Sequence, residues 1–120
     1  MNERRNSGRH KAFFPVAMDS KDRKDRIAMS RNASSTGILL GSPSRFEVGE
    51  RLTMTFRILP AGPMFAGVVG KVIRVEESNN PDDPMWRHVM AIAFEKPLDE
   101  EVLTALREAA EHTVHLEFGE

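Results

Sequence analysis

The sequence predicts an all-β fold: a six-stranded antiparallel β-barrel closed by one C-terminal α-helix. Three observations carry this expectation. Short runs in which every second residue is apolar recur along residues 11–94, clusters of Gly, Pro, Asn, Asp and Ser separate them, and a run with helical spacing comes last. Alternation marks strands with one buried face, whereas a 3.6-residue period marks a helix. Short strands between frequent turn signals close most readily into a small barrel.

The elements follow in order. Residues 1–10 are polar and aperiodic, and read as a flexible basic arm. Residues 11–18 form a strand with Ala12, Phe14, Val16 and Met18 on one face. Pro15 cannot donate to a ladder, which predicts an edge position or a bulge there. Residues 20–25 are a charged turn, and residues 26–31 a second strand with Ile27 and Met29 inward. A turn over residues 32–37 leads to a third strand, Ile38-Leu39-Leu40, which Gly41-Ser42-Pro43-Ser44 ends. Val48-Gly49-Glu50 turns the chain into residues 51–58, where Leu52, Met54, Phe56 and Ile58 alternate with Arg51, Thr53, Thr55 and Arg57.

Beyond the Pro60-Ala61-Gly62-Pro63 turn, residues 64–75 are β-rich but interrupted by Gly67 and Gly70, which predicts a bend or bulge. Residues 76–84 read as a polar, mobile hairpin loop, and residues 87–94 as the last strand, with His88, Met90, Ile92 and Phe94 on one face. Pro97 and Asp99 open the helix. Asp99, Glu100 and Glu101 sit at the positive end of its dipole, and Val102, Leu106, Ala109 and Ala110 form its apolar stripe after Leu98. The expected organisation is an arm over residues 1–10, barrel plus helix over 11–111, and a tail over 112–120, as coil or a short helical extension.

Composition narrows the function. A chain of 120 residues suits one domain with a modest core. There is no Cys, and the four His lack H-E-x-x-H spacing, so no metal is expected. The apolar runs fall far short of the ~20 residues that span a bilayer, so no membrane insertion is expected. Arg4-Arg5 is not followed by the apolar stretch of an export signal, and Asn32-Ala33-Ser34 is an acceptor pattern without a secretory context, so the expected compartment is the cytoplasm. Net charge is −1 but unevenly spread: residues 1–31 carry nine Lys/Arg against four acids, a net of +5, and residues 95–120 carry two against eight, a net of −6. A basic amino end suits an anionic partner, while the weak total charge speaks against general nucleic-acid binding. No nucleophile–base pairing, G-x-S-x-G or P-loop is present, so no catalytic residue is expected. Trp86 and the Phe residues read as core and rim packing, and the seven Met as core filler.

Two motifs carry chemistry. Arg5-Asn6-Ser7-Gly8-Arg9 is R-x-x-x-R, two guanidinium groups on the arm, each able to fork onto phosphate oxygens and to stack on a purine. Asn32-Ala33-Ser34-Ser35-Thr36-Gly37 is N-x-S-x-x-G, a turn in which Asn32 offers donors and an acceptor to a base edge, Ser34 a hydroxyl, and Gly37 close approach or positive φ. Taken singly, the first also fits a solvated basic tail and the second an Asx or Ser/Thr turn. Their order joins them: the first precedes the first strand, and the second lies between the second and third.

In this order, over nearly the whole chain from Arg4 to the terminal helix, the motifs and the expected strands resemble the PilZ domain, a bacterial module that binds cyclic di-GMP. The resemblance implies a six-stranded barrel with a C-terminal helix, a receptor and not an enzyme, and cyclic di-GMP as ligand with no further cofactor. It assigns ligand contacts to Arg5, Arg9, Asn32, Ser34 and Gly37, with Asn32 at a position where the family takes Asp or Asn. Arg4 directly precedes the first motif, which in the family goes with two ligands per domain. A lone module would signal by changing conformation and binding a protein partner, as yet unidentified. The alternative is a PilZ-like scaffold for protein interaction that needs no nucleotide.

Overall fold

The computed structural model describes residues 9–78 and 84–117. Residues 1–8, most of the polar loop, and residues 118–120 lie outside the described residues. Among the described residues there are seven strands: β1 (His10–Lys11), β2 (Pro15–Asp19), β3 (Arg26–Ala33), β4 (Gly37–Ser42), β5 (Arg51–Arg57), β6 (Met64–Glu77) and β7 (His88–Phe94). A helix, α1 (Glu100–Glu117), follows them. Six strands close an antiparallel barrel in the order β3-β2-β5-β6-β7-β4, with β4 pairing back onto β3. The extra strand β1 pairs with the far end of β3, His10 opposite Ala33 and Lys11 opposite Asn32.

The barrel interior holds the alternating residues of β5, Leu52, Met54 and Phe56, together with Val16, Met18, Leu40, Val72, Met90 and Ile92, all buried. Phe46, from the β4–β5 connection, is fully buried as well, and the Arg23 guanidinium lies 4.2 Å above its ring. Asp99 caps α1: its carbonyl accepts the amides of Val102 and Leu103 at 3.0 Å. Val102, Ala105 and Leu106 bury the helix face, and α1 packs against β1. The backbone stays helical through Glu117, so most of the expected tail extends the helix. After β7, Glu95 accepts two hydrogen bonds from Arg51, at 2.6 and 3.2 Å, which hold its carboxyl below the usual carboxylate range.

The expected first strand is two strands. Residues 12–14 leave the ladder, yet Ala12 and Phe14 remain in the core. Ser30 holds this break. Its buried hydroxyl donates to the Ala12 carbonyl at 2.5 Å and accepts the Phe14 amide at 3.0 Å, and its own amide donates to the Phe14 carbonyl at 2.9 Å. Pro15 is therefore not at an edge, since β2 lies between β3 and β5. It is the first residue of its strand, where a missing donor is tolerated.

The inward phase of β3 is also opposite to expectation. Ala28 and Ser30 are fully buried, while Ile27 is 46% exposed and Met29 half-buried on the outside. The register decides this: Val16 and Ala28 are opposite and face in together, and the large Phe14, Met18 and Phe56 leave room only for small partners. In β6 the expected bulge occurs. The pairing with β5 shifts between Met54 and Phe56, with Gly67 at φ 74°, and the pairing with β7 shifts again between Val72 and Arg74. At Gly70 a Cβ would come 2.6 Å from Ile92 Cγ2, so the strands approach there only because the side chain is missing.

Ser30→Ala should destabilise the domain by about 1–3 kcal/mol, because two buried backbone groups at the break lose their partner. Urea unfolding measures this. An unchanged midpoint would mean that the flanking core residues hold the break without Ser30.

Candidate functional site

The site starts from an irregularity in β3. Ser30 pairs with Leu40 and faces in, and strict alternation would then turn Arg31 out and Asn32 in. A bulge intervenes: the next pair is Asn32 with Leu39, so Arg31 is an extra residue and Asn32 reaches the outer wall beside it. The adjacent outward pair is Met29 with Gly41. β1 runs along the other edge of this stretch, with Lys11 opposite Asn32.

A cleft of about 550 Å³ lies on this wall. Met29 and Leu39 floor it, Arg9, Lys11 and Phe13 line it from the arm side, and Arg31, Asn32 and Trp86 also line it. Trp86 ends a single 3-10 turn, Pro84–Trp86, just ahead of β7. Every charged residue lining the cleft is basic, which suits an anion with apolar or aromatic parts. Across the cleft the two motifs meet: Arg9 NH1 donates to Asn32 Oδ1 at 3.0 Å.

The other motif residues lie elsewhere. Arg4 and Arg5 are outside the described residues. Ser34 is buried in the β3–β4 turn, where its hydroxyl accepts the Thr36 amide at 3.2 Å and its amide donates to the Gly37 carbonyl at 2.8 Å. Gly37 opens β4 opposite Ala93, and a Cβ there would meet the Ile92 carbonyl oxygen at 2.8 Å. These two residues shape the turn and its seat against β7, and neither lines the cleft. Conversely, Lys11 and Arg31 line it without having been given a site role in the sequence, and Phe13 and Trp86 line it although the sequence reads them as core and rim packing. The available signal was the adjacency of Arg31 to Asn32 and the position of Lys11 two residues after Arg9.

A second, apolar groove of about 830 Å³ adjoins the first. Ile27, Pro15, Ala17 and Met64 line it on the outer wall, Arg57 is its charged residue, and Phe13 lines both depressions. Among the described residues no group of His, Asp and Glu could hold a metal ion, and no helix is long and apolar enough to cross a membrane.

A family model described as the PilZ domain matches residues 3–111. Among solved structures, the PilZ domain with c-di-GMP of YcgR from Escherichia coli aligns at a TM-score of 0.70 and 12% identity, over 93% of this chain and 95% of that one. The Bacillus subtilis inhibitor of motility, MotI/DgrA, aligns at a TM-score of 0.65 and 16% identity, over 90% of this chain. This chain spans only 50% of the MotI/DgrA chain. No curated protein matches the chain at a significant level.

Proposed function

The chain belongs to the PilZ domain family, and from that premise we propose that it is a cytoplasmic cyclic di-GMP receptor that changes conformation on binding and signals to a protein partner. The observation that carries the reading is the Arg9–Asn32 hydrogen bond, which joins the two motifs across a cleft whose charged lining is wholly basic. Phosphates meet Arg9, Lys11 and Arg31, and a guanine edge meets Asn32. Asn32 Oδ1 is the acceptor a guanine would use, so ligand entry redirects Arg9 from Asn32 to a phosphate. Arg4 and Arg5, outside the described residues, add charge-assisted bonds to the phosphates. Ser34 and Gly37 act through the turn that presents Asn32. Phe13 supports the signalling step, since it lines both the cleft and the apolar groove beside it. The domain binds and transmits; the reading contains no catalytic step.

Cyclic di-GMP should raise the melting temperature of the folded protein, by about 2.7 kcal/mol of stabilisation at 100 times the dissociation constant. GTP and a short oligonucleotide serve as controls. No shift at high micromolar ligand would leave the nucleotide-independent scaffold as the better account.

Arg5→Ala and Arg9→Ala should each weaken binding roughly 10- to 150-fold in calorimetric titration, the loss of one charge-assisted bond, with little change in unfolding. Wild-type affinity in both would mean that the arm is only a charged tail.

The expected stoichiometry is two ligands per chain. Two stacked ligands bring four phosphate charges together, and Arg4 adds cationic charge beside Arg5 and Arg9. Arg4→Ala should move the ratio towards one while binding remains measurable. A ratio near one in the unaltered protein would refute the two-ligand arrangement and leave the receptor reading standing.

A further inference from the structure

We propose that Trp86 is a stacking platform for a purine base of the bound nucleotide, and that Gly41 keeps open the space in which Trp86 and Arg31 lie. The inference rests on the receptor reading above and adds a subsite to it.

Gly41 is the starting point. It lies within β4, paired with Met29 on one side and Val89 on the other, where glycine weakens a strand. Its backbone does not require glycine, because the glycines at positive φ among the described residues are Gly49 and Gly67. What requires it is the space above it. A Cβ at Gly41 would come 2.9 Å from Trp86 Cβ and 3.3 Å from both Nε and NH2 of Arg31. Trp86 Cβ is fixed to the backbone and cannot swing aside, so any side chain at Gly41 displaces the 3-10 turn that carries the indole.

The two groups that converge on this bare position are the two that a purine nucleotide needs, a flat aromatic surface and a guanidinium. Arg31 is there because the β3 bulge adds it to the outer wall. Trp86 is half-buried rather than in the core, and it lines the same cleft as Arg9 and Asn32. A large aromatic in a cleft whose charges are all basic offers a base a π-face next to the groups that hold its phosphate. Stacking discriminates by ring area, so this subsite favours purines over pyrimidines.

Trp86 is the sole tryptophan, and the chain has no tyrosine, so intrinsic emission reports on this position alone. Cyclic di-GMP should quench the emission of the unaltered protein, saturating in step with calorimetric binding. Cyclic di-UMP should bind more weakly. Trp86→Ala should weaken cyclic di-GMP binding about 5- to 150-fold, the stacking contribution of one base, with Trp86→Phe closer to the parent. Gly41→Ala should shift the emission of the free protein and weaken binding in the same direction. Calorimetric heat without quenching would by itself overturn the platform and leave the receptor reading intact, as would parental affinity in a folded Trp86→Ala. No heat at all from the unaltered, folded protein would overturn both. The titration of the unaltered protein decides even if a variant fails to fold.

Discussion

An antiparallel barrel closes only when one strand can hydrogen-bond along both its edges while the wall turns sharply, and here that strand is β3. Its first half pairs with β2, its second half with β4, and its final residues with β1. The demand on β3 explains its composition. Small residues, Ala28, Ser30 and Ala33, face the interior, because the rest of the barrel already fills it with Phe14, Met18, Phe56, Ile38 and Leu40. Ser30 then does what an apolar residue of the same size could not: it satisfies the backbone where the incoming chain leaves the ladder.

The wall that carries the cleft follows from the same strand. A β3 without its bulge would point Asn32 into the core, where an amide lacking partners is costly. The extra residue at Arg31 turns Asn32 outward and keeps a guanidinium beside it. Closure of the barrel and display of the site are thus two results of one irregular strand, with Gly37 and Gly41 providing the close approaches on its β4 side.

Much of this architecture was legible in the residues. The alternation over residues 51–58 read correctly because β5 is regular against β2 and the extra residue of its shifted pairing with β6 lies on β6, beside Gly67, and the interruption at Gly67 read correctly because only glycine takes that φ cheaply. The phase of β3 was not legible. Ile27 and Met29 are the more apolar residues, and hydrophobicity alone puts them inside, but the volume already occupied by neighbours puts Ala28 and Ser30 there. That volume is a property of pairings distant in sequence. Trp86 read as packing for a related reason: its place beside Arg31 depends on a missing side chain in another strand, 45 residues earlier, which no local pattern exposes. The two motifs were legible as patterns, and in the structure Arg9 and Asn32 lie at the cleft and Ser34 and Gly37 in the turn that follows Asn32.

The break between β1 and β2 separates two kinds of work along a single stretch of chain. Buried apolar side chains begin at Ala12, and among the described residues none precedes it. β1 is joined to the barrel through two residue pairs, and the barrel is closed without it. Detaching the segment ahead of Ala12 therefore leaves every barrel pairing in place, with Ser30 acting as an insulator at the boundary. A protein built this way can have its amino-terminal segment altered by substitution or lengthening while the strand pairings that close its barrel are untouched, the helix α1 being the element that would register the change.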